Sequence, residues 1–136
     1  MKNVTKLEDY ELWKLSSHVT KFMLATLEKY PEEIQYPMDF RLREASIYIT
    51  TNTAASFGSI DPRDKVWQLG KMRSSLYELK SIYKLMHDTK IVTLDPQVIV
   101  DINNISDIVT KEISDERLHI KDWYSEMSAL VKESVA

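Results

Sequence analysis

The run Asp61-Pro62-Arg63-Asp64-Lys65-Val66-Trp67-Gln68-Leu69-Gly70-Lys71-Met72-Arg73-Ser74-Ser75-Leu76-Tyr77-Glu78-Leu79-Lys80-Ser81-Ile82-Tyr83-Lys84-Leu85-Met86 decides the fold. Val66, Leu69, Met72, Leu76, Leu79, Tyr83 and Met86 follow one another at steps of three or four, the period of one face of an α-helix. Asp61 is an N-cap type, and Pro62 suits the first helical position, where its missing N–H costs nothing. The spacing predicts a helix over 62–87.

The same logic extends in both directions. Leu12, Leu15, Val19, Phe22 and Leu27 predict a helix over 8–29, closed by Pro31, because a residue before proline is pushed out of the helical region. Phe40, Leu42, Ala45, Ile49 and Ala54 predict a second helix over 38–56, with Gly58 as its C′ residue. Within it, Ile47-Tyr48-Ile49-Thr50-Thr51 has strand propensity, but its flanks keep helical spacing and no hairpin turn follows. Asp95-Pro96 repeats the Asp-Pro start, and Val98, Ile99, Ile102, Ile105, Val109 and Ile113 carry the stripe of a fourth helix over 95–114. After the polar stretch Ser114–Arg117 a second periodic run follows, Leu118, Ile120, Trp123, Tyr124, Met127, Leu130 and Val131. It reads equally as a continuation of the fourth helix or as a fifth one. The expectation is an all-α, antiparallel up-down-up-down four-helix bundle over 1–117, with a helical C-terminal extension over 118–136, since short connections make neighbouring helices antiparallel.

Composition agrees. The chain has 136 residues, two glycines, four prolines and no cysteine. That is room for one core, too few turn residues for a many-stranded sheet, and no thiol chemistry. No apolar run is long enough to span a bilayer, and Met1–Asp9 lacks the apolar region of a signal peptide, so a cytoplasmic location without membrane contact is expected. The net charge of -3 is uneven. Residues 61–90 carry seven Lys/Arg against four Asp/Glu, and residues 91–136 carry four against nine.

No catalytic or cofactor motif is found. His18, His87 and His119 fall on different segments, without the i, i+4 spacing of a helical zinc site. Glu116-Arg117-Leu118-His119 is one Glu-x-x-His step, and a di-metal carboxylate bundle needs two. The chain is therefore expected to be a non-enzyme with no metal, no cofactor and no small-molecule substrate. Two features point to binding instead. Arg73, Tyr77, Lys80 and Lys84 share a face of the third helix, and Arg41 and Arg43 open the second, which makes these cations candidates for phosphate contact, although a solvated helix face is the favoured reading of them. Thirteen aromatic residues are many for so small a bundle, so Trp13, Trp67, Ile120, Trp123, Tyr124 and Met127 are candidates for an oligomer or partner interface.

Five segments, in order and in register over about residues 7–113, resemble the four-helix-bundle family found as ribosomal RNA intervening-sequence proteins, which is related to the accessory variability determinants of diversity-generating retroelements. They are Leu7-Glu8-Asp9-Tyr10-Glu11-Leu12-Trp13, Tyr30-Pro31-Glu32-Glu33, Arg41-Leu42-Arg43-Glu44-Ala45-Ser46, Ile49-Thr50-Thr51-Asn52-Thr53-Ala54 and Arg73-Ser74-Ser75-Leu76-Tyr77-Glu78-Leu79. Glu44 stands where the family pairs a second arginine, Ser59 stands where an arginine commonly follows, and the extension lies outside the resemblance. The resemblance implies a non-catalytic bundle that forms a homo-oligomeric ring, typically a pentamer. In the retroelement branch it implies an accessory protein that binds a reverse transcriptase and structured RNA. In the intervening-sequence branch it implies a structural or protein-interaction bundle.

Overall fold

The computed structural model describes residues 4–135. After a single 3-10 turn at Leu7–Asp9, four helices follow: α1 (Glu11–Lys29), α2 (Met38–Gly58), α3 (Pro62–Asp88) and α4 (Pro96–Val135). No strand occurs among the described residues, and the β-branched run Ile47–Thr51 is helical. The chain is an all-α four-helix bundle. Contacts run α1–α2, α2–α3, α3–α4 and α4–α1, so consecutive helices are neighbours around a square.

The helix ends follow from local chemistry. Asp61 caps α3 by accepting from the Arg63 backbone N–H at 2.8 Å, and Asp95 accepts from that of Gln97 at 2.9 Å. Tyr30, before Pro31, leaves the helical region at φ -124, ψ 53. Gly58 departs from the expectation: α2 runs through it without a positive φ, and Ser59 ends the helix in extended backbone. The left-handed C-terminal residue is at α3 instead, where Lys90 takes φ 63 and the Ile91 N–H returns to the Met86 carbonyl at 2.9 Å.

The core is most of the predicted apolar stripes brought together, except that Phe40 is half exposed at the start of α2 and Met23, outside the predicted stripe of α1, is fully buried. Leu12, Val19, Met23, Leu42, Ile49, Met72, Leu76, Leu79, Ile102, Ile105 and Val109 are inaccessible or nearly so. The α1–α2 interface is different in kind: Ser16 and Ser46 are buried in it, and the Thr20 and Thr50 hydroxyls meet at 2.8 Å. Ser46 and Thr53 satisfy their hydroxyls on the carbonyls of Leu42 and Ile49, one turn back.

The α3–α4 interface fixes the register. Arg73 donates to Thr110 at 3.0 Å, the Tyr77 and Ser106 hydroxyls meet at 3.1 Å, and Lys80 donates to Asn103 at 2.8 Å. Steps of four and three along α3 are answered by the same steps reversed along α4, as two antiparallel helices require. Continued upward, this register sets Pro62 level with Lys121.

The open question about the extension is answered by one helix of 40 residues. No glycine or proline interrupts Ser114–Arg117, so nothing stops the helix there. Residues beyond Lys121 rise past the start of α3 as a free arm, all of them exposed through Val135. At 1.5 Å per residue the arm stands roughly 20 Å clear of the bundle.

Truncating Leu76 to Ala, a fully buried position, should cost about 2–5 kcal/mol in urea unfolding, whereas Leu85→Ala, half exposed on the same helix, should cost well under about 1 kcal/mol. Equal losses would contradict the stripe assignment.

Candidate interaction surface

The arm carries forward the stripe that builds the core. Val98, Ile102, Ile105, Val109 and Ile113 of α4 are buried against the other helices. At the same three- and four-residue steps the line passes through Glu116 to Ile120, Trp123, Met127 and Leu130, with Tyr124 and Val131 alongside. Trp123 is 54% exposed, and Tyr124, Met127, Leu130 and Val131 are exposed with it. Trp123 and Tyr124 meet edge to face at 4.9 Å. A contiguous exposed face of this composition is the kind that marks interaction surfaces.

At its root the arm and the start of α3 enclose an open notch of about 600 Å³, lined by Asp61, Pro62, Arg63, Ile120, Trp123 and Tyr124. Asp61 has two tasks there. Besides capping α3, it holds the Arg63 guanidinium at 2.7 Å, and these hydrogen bonds keep its carboxylate below the usual range.

Just below, the bundle end is closed by a half-buried polar pair. Tyr10 stacks on Phe57 at 5.3 Å and donates its hydroxyl to the Glu112 carboxylate. Burial pushes the Tyr10 hydroxyl well above its ordinary range, and Glu112 raises it further. Burial also pushes the Glu112 carboxyl up, against the stabilising Tyr10 hydrogen bond, and Glu116, Asp115 and Glu11 add repulsion in the same direction. This pair joins residues 102 positions apart, and no spacing in the sequence signals it.

A second surface lies on the outward side of α3. Tyr48 and Asn52 of α2, Trp67, Gly70, Lys71, Ser74 and Glu78 of α3, and Arg117 of α4 line a shallow saddle of about 860 Å³. Trp67 is 66% exposed and has the Lys71 ammonium over its ring at 5.9 Å. The sequence pointed to Trp67 but not to the saddle. Its one legible sign was a glycine in the middle of an otherwise regular helix.

The candidate interface residues thus divide. Trp123, Tyr124 and Met127 share the arm, Ile120 is half-buried at its root, Trp67 stands on the saddle, and Trp13 is half-buried on α1. The candidate phosphate contacts divide as well. Arg73 and Lys80 lie in the α3–α4 seam, with the Arg73 guanidinium over Tyr77 at 5.0 Å, and Lys84 is exposed further along the same helix. Arg41 is on the opposite flank of α3, where its guanidinium reaches Glu78 at 3.5 Å and Glu44 at 4.0 Å, and Arg43 is exposed beside it. Glu78, without a basic neighbour one turn away on its own helix, finds one across the helix pair. The five cations do not form one patch. His18 lies 4.0 Å from Asp101, while His119, three residues after Glu116, lines the notch. Among the described residues no three His, Cys, Asp or Glu side chains converge as a metal set, and no helix is long and apolar enough to cross a membrane.

The half-buried Glu112 sets a pH dependence. Its carboxyl is raised in the folded chain, so folding favours the protonated form. The contribution is fully present below the unfolded carboxylate value of about 4.3 and is lost as pH rises through the folded value. Glu112→Gln keeps an acceptor for Tyr10 and removes the charge. It should raise the melting temperature at pH 7, and the gain should vanish below about pH 4. A gain that persists unchanged at low pH would show that the charge is not the cause. The chain matches no family model and no curated protein, and its surface residues take their roles from their geometry alone.

Proposed function

We propose that this chain is a non-enzymatic scaffold that assembles with copies of itself and holds a partner on the assembled body. The supporting observation is the arm, a helix that leaves the bundle with Trp123, Tyr124, Met127, Leu130 and Val131 uncovered along one face. A contiguous apolar patch of this size is often functional, and aromatic and methionine side chains are the types enriched where proteins meet. The ring of about five copies implied by the resemblance is the form of assembly put forward.

A second reading adds nucleic acid: the accessory role in which the assembly binds a reverse transcriptase and its structured RNA. It rests on the resemblance and on Arg73, Lys80 and Lys84. The hydrogen-bond partners of Arg73 and Lys80, Thr110 and Asn103, are neutral, so those bonds leave both charges uncompensated on the surface. Against it stand Arg41, tied to two carboxylates, and the division of the cations between two flanks of α3. The structural and protein-interaction reading is therefore the one the geometry favours.

Light scattering at micromolar concentration should give a multiple of 15.9 kDa for the full chain, and truncation after Glu116 should lower that mass. A full chain that runs as a clean monomer refutes the scaffold. For the RNA reading, replacing Arg73, Lys80 and Lys84 by Ala should flatten the salt dependence of RNA affinity by up to about three phosphate contacts. An unchanged slope leaves those cations as a solvated seam.

A further inference from the structure

We infer that the arm of one copy docks in the α3 saddle of a second copy, so that each chain is at once donor and acceptor. This rests on the scaffold reading and specifies the contact through which it assembles.

The chain cannot cover its own arm, because α4 is unbroken from Pro96 and carries the arm away from the bundle. The saddle holds the complementary sign. Glycine in the interior of a helix is destabilising relative to alanine. Nothing in the chain requires Gly70: a Cβ built there meets no atom within 4 Å. What a helical glycine does permit is the close approach of another backbone, and here the open side faces outward. Ser74, one turn on and exposed, keeps the ridge of α3 low, while Trp67 and Tyr48 rise beside it as apolar walls.

Area and charge fit the same occupant. The five uncovered side chains of the arm leave on the order of 500 Å² of apolar surface. In the saddle this surface meets the exposed faces of Trp67 and Tyr48. The saddle sets Lys71 and Arg117 against the single carboxylate of Glu78, which Arg41 already engages, and residues 61–90 as a whole are basic. The arm flanks its apolar face with Asp122, Glu126 and Glu133 against Lys121 and Lys132. That acidic balance opposes the alternative of an anionic bilayer, which selects amphipathic helices rich in Lys and Arg. A head-to-tail contact of this kind leaves a free arm and a free saddle after each addition and closes into a ring when the rotation allows.

Three species measured by light scattering test this: the wild type, Gly70→Trp, which fills the saddle, and the double variant Trp123→Asp with Met127→Asp, which charges the arm. Circular dichroism and thermal melting establish that each variant is folded, and Ser74→Trp supplies a second block of the saddle. The wild type should exceed 15.9 kDa, and each variant alone should fall to that mass. An equimolar mixture of Gly70→Trp with the arm variant should recover a dimer, because one chain still has an arm and the other still has a saddle. If both saddle variants assemble like the wild type while the arm variant does not, arms pair elsewhere and this inference falls, though the scaffold stands. If the wild type is itself a monomer, both fall together.

Discussion

Burial of the α4 stripe against its neighbours in a single antiparallel register places everything else in the molecule. Leu69, Met72, Leu76 and Leu79 on α3 and Ile102, Ile105, Val109 and Ile113 on α4 are apolar at helical steps, and each helix has only one face to hide. Sliding one helix past the other by a turn would expose buried side chains at both ends and break the bonds of Arg73, Tyr77 and Lys80 to Thr110, Ser106 and Asn103. With the register held, the lengths of the two helices decide the shape. An α3 of 27 residues ends where an α4 of 40 still has far to go, and the surplus becomes the arm.

The bundle end beneath the arm is where polar groups were accepted into this packing. Tyr10 at the entry to α1, Phe57 of α2 and Glu112 of α4 close the core at the level where α4 leaves it. A carboxyl at this place is held against its preference for water and near three other acids. Its hydrogen bond to Tyr10 compensates only part of that cost, so at this point the fold responds to proton concentration as well as to apolar area.

The four helices were legible because their periodicity is local: steps of three and four, Asp-Pro starts and Pro31 can be read within a few turns. The arm was half legible. Its apolar residues were plain, but Ser114–Arg117 looked like a place to stop, and only the absence of a breaking residue shows why the helix runs on. The surface chemistry was hidden for a different reason. Arg73, Tyr77 and Lys80 have phosphate-like spacing on their own helix, while the partners that engage them lie 37, 29 and 23 residues away. Arg41 and Glu78 answer each other across α2 and α3, and the saddle takes residues from three helices. Gly58 misled because a glycine near a helix end commonly supplies a left-handed residue, and here Lys90 does so at another helix.

The arm inherits its order from the bundle. A free peptide of its length would be barely helical in water, because the first turn is costly to nucleate. Here nucleation is complete before the arm begins, so it reaches solvent already helical, and its direction is set by counting. Each residue turns a helix by 100° and lifts it 1.5 Å. One residue gained or lost among the solvent-facing positions 114–117 would leave the core untouched while swinging Trp123 and Met127 a quarter-turn or more around the axis. Four residues would nearly restore the azimuth one turn higher. The aim of this surface is therefore an integer property of the chain, open to change by insertion or deletion where substitution would do little.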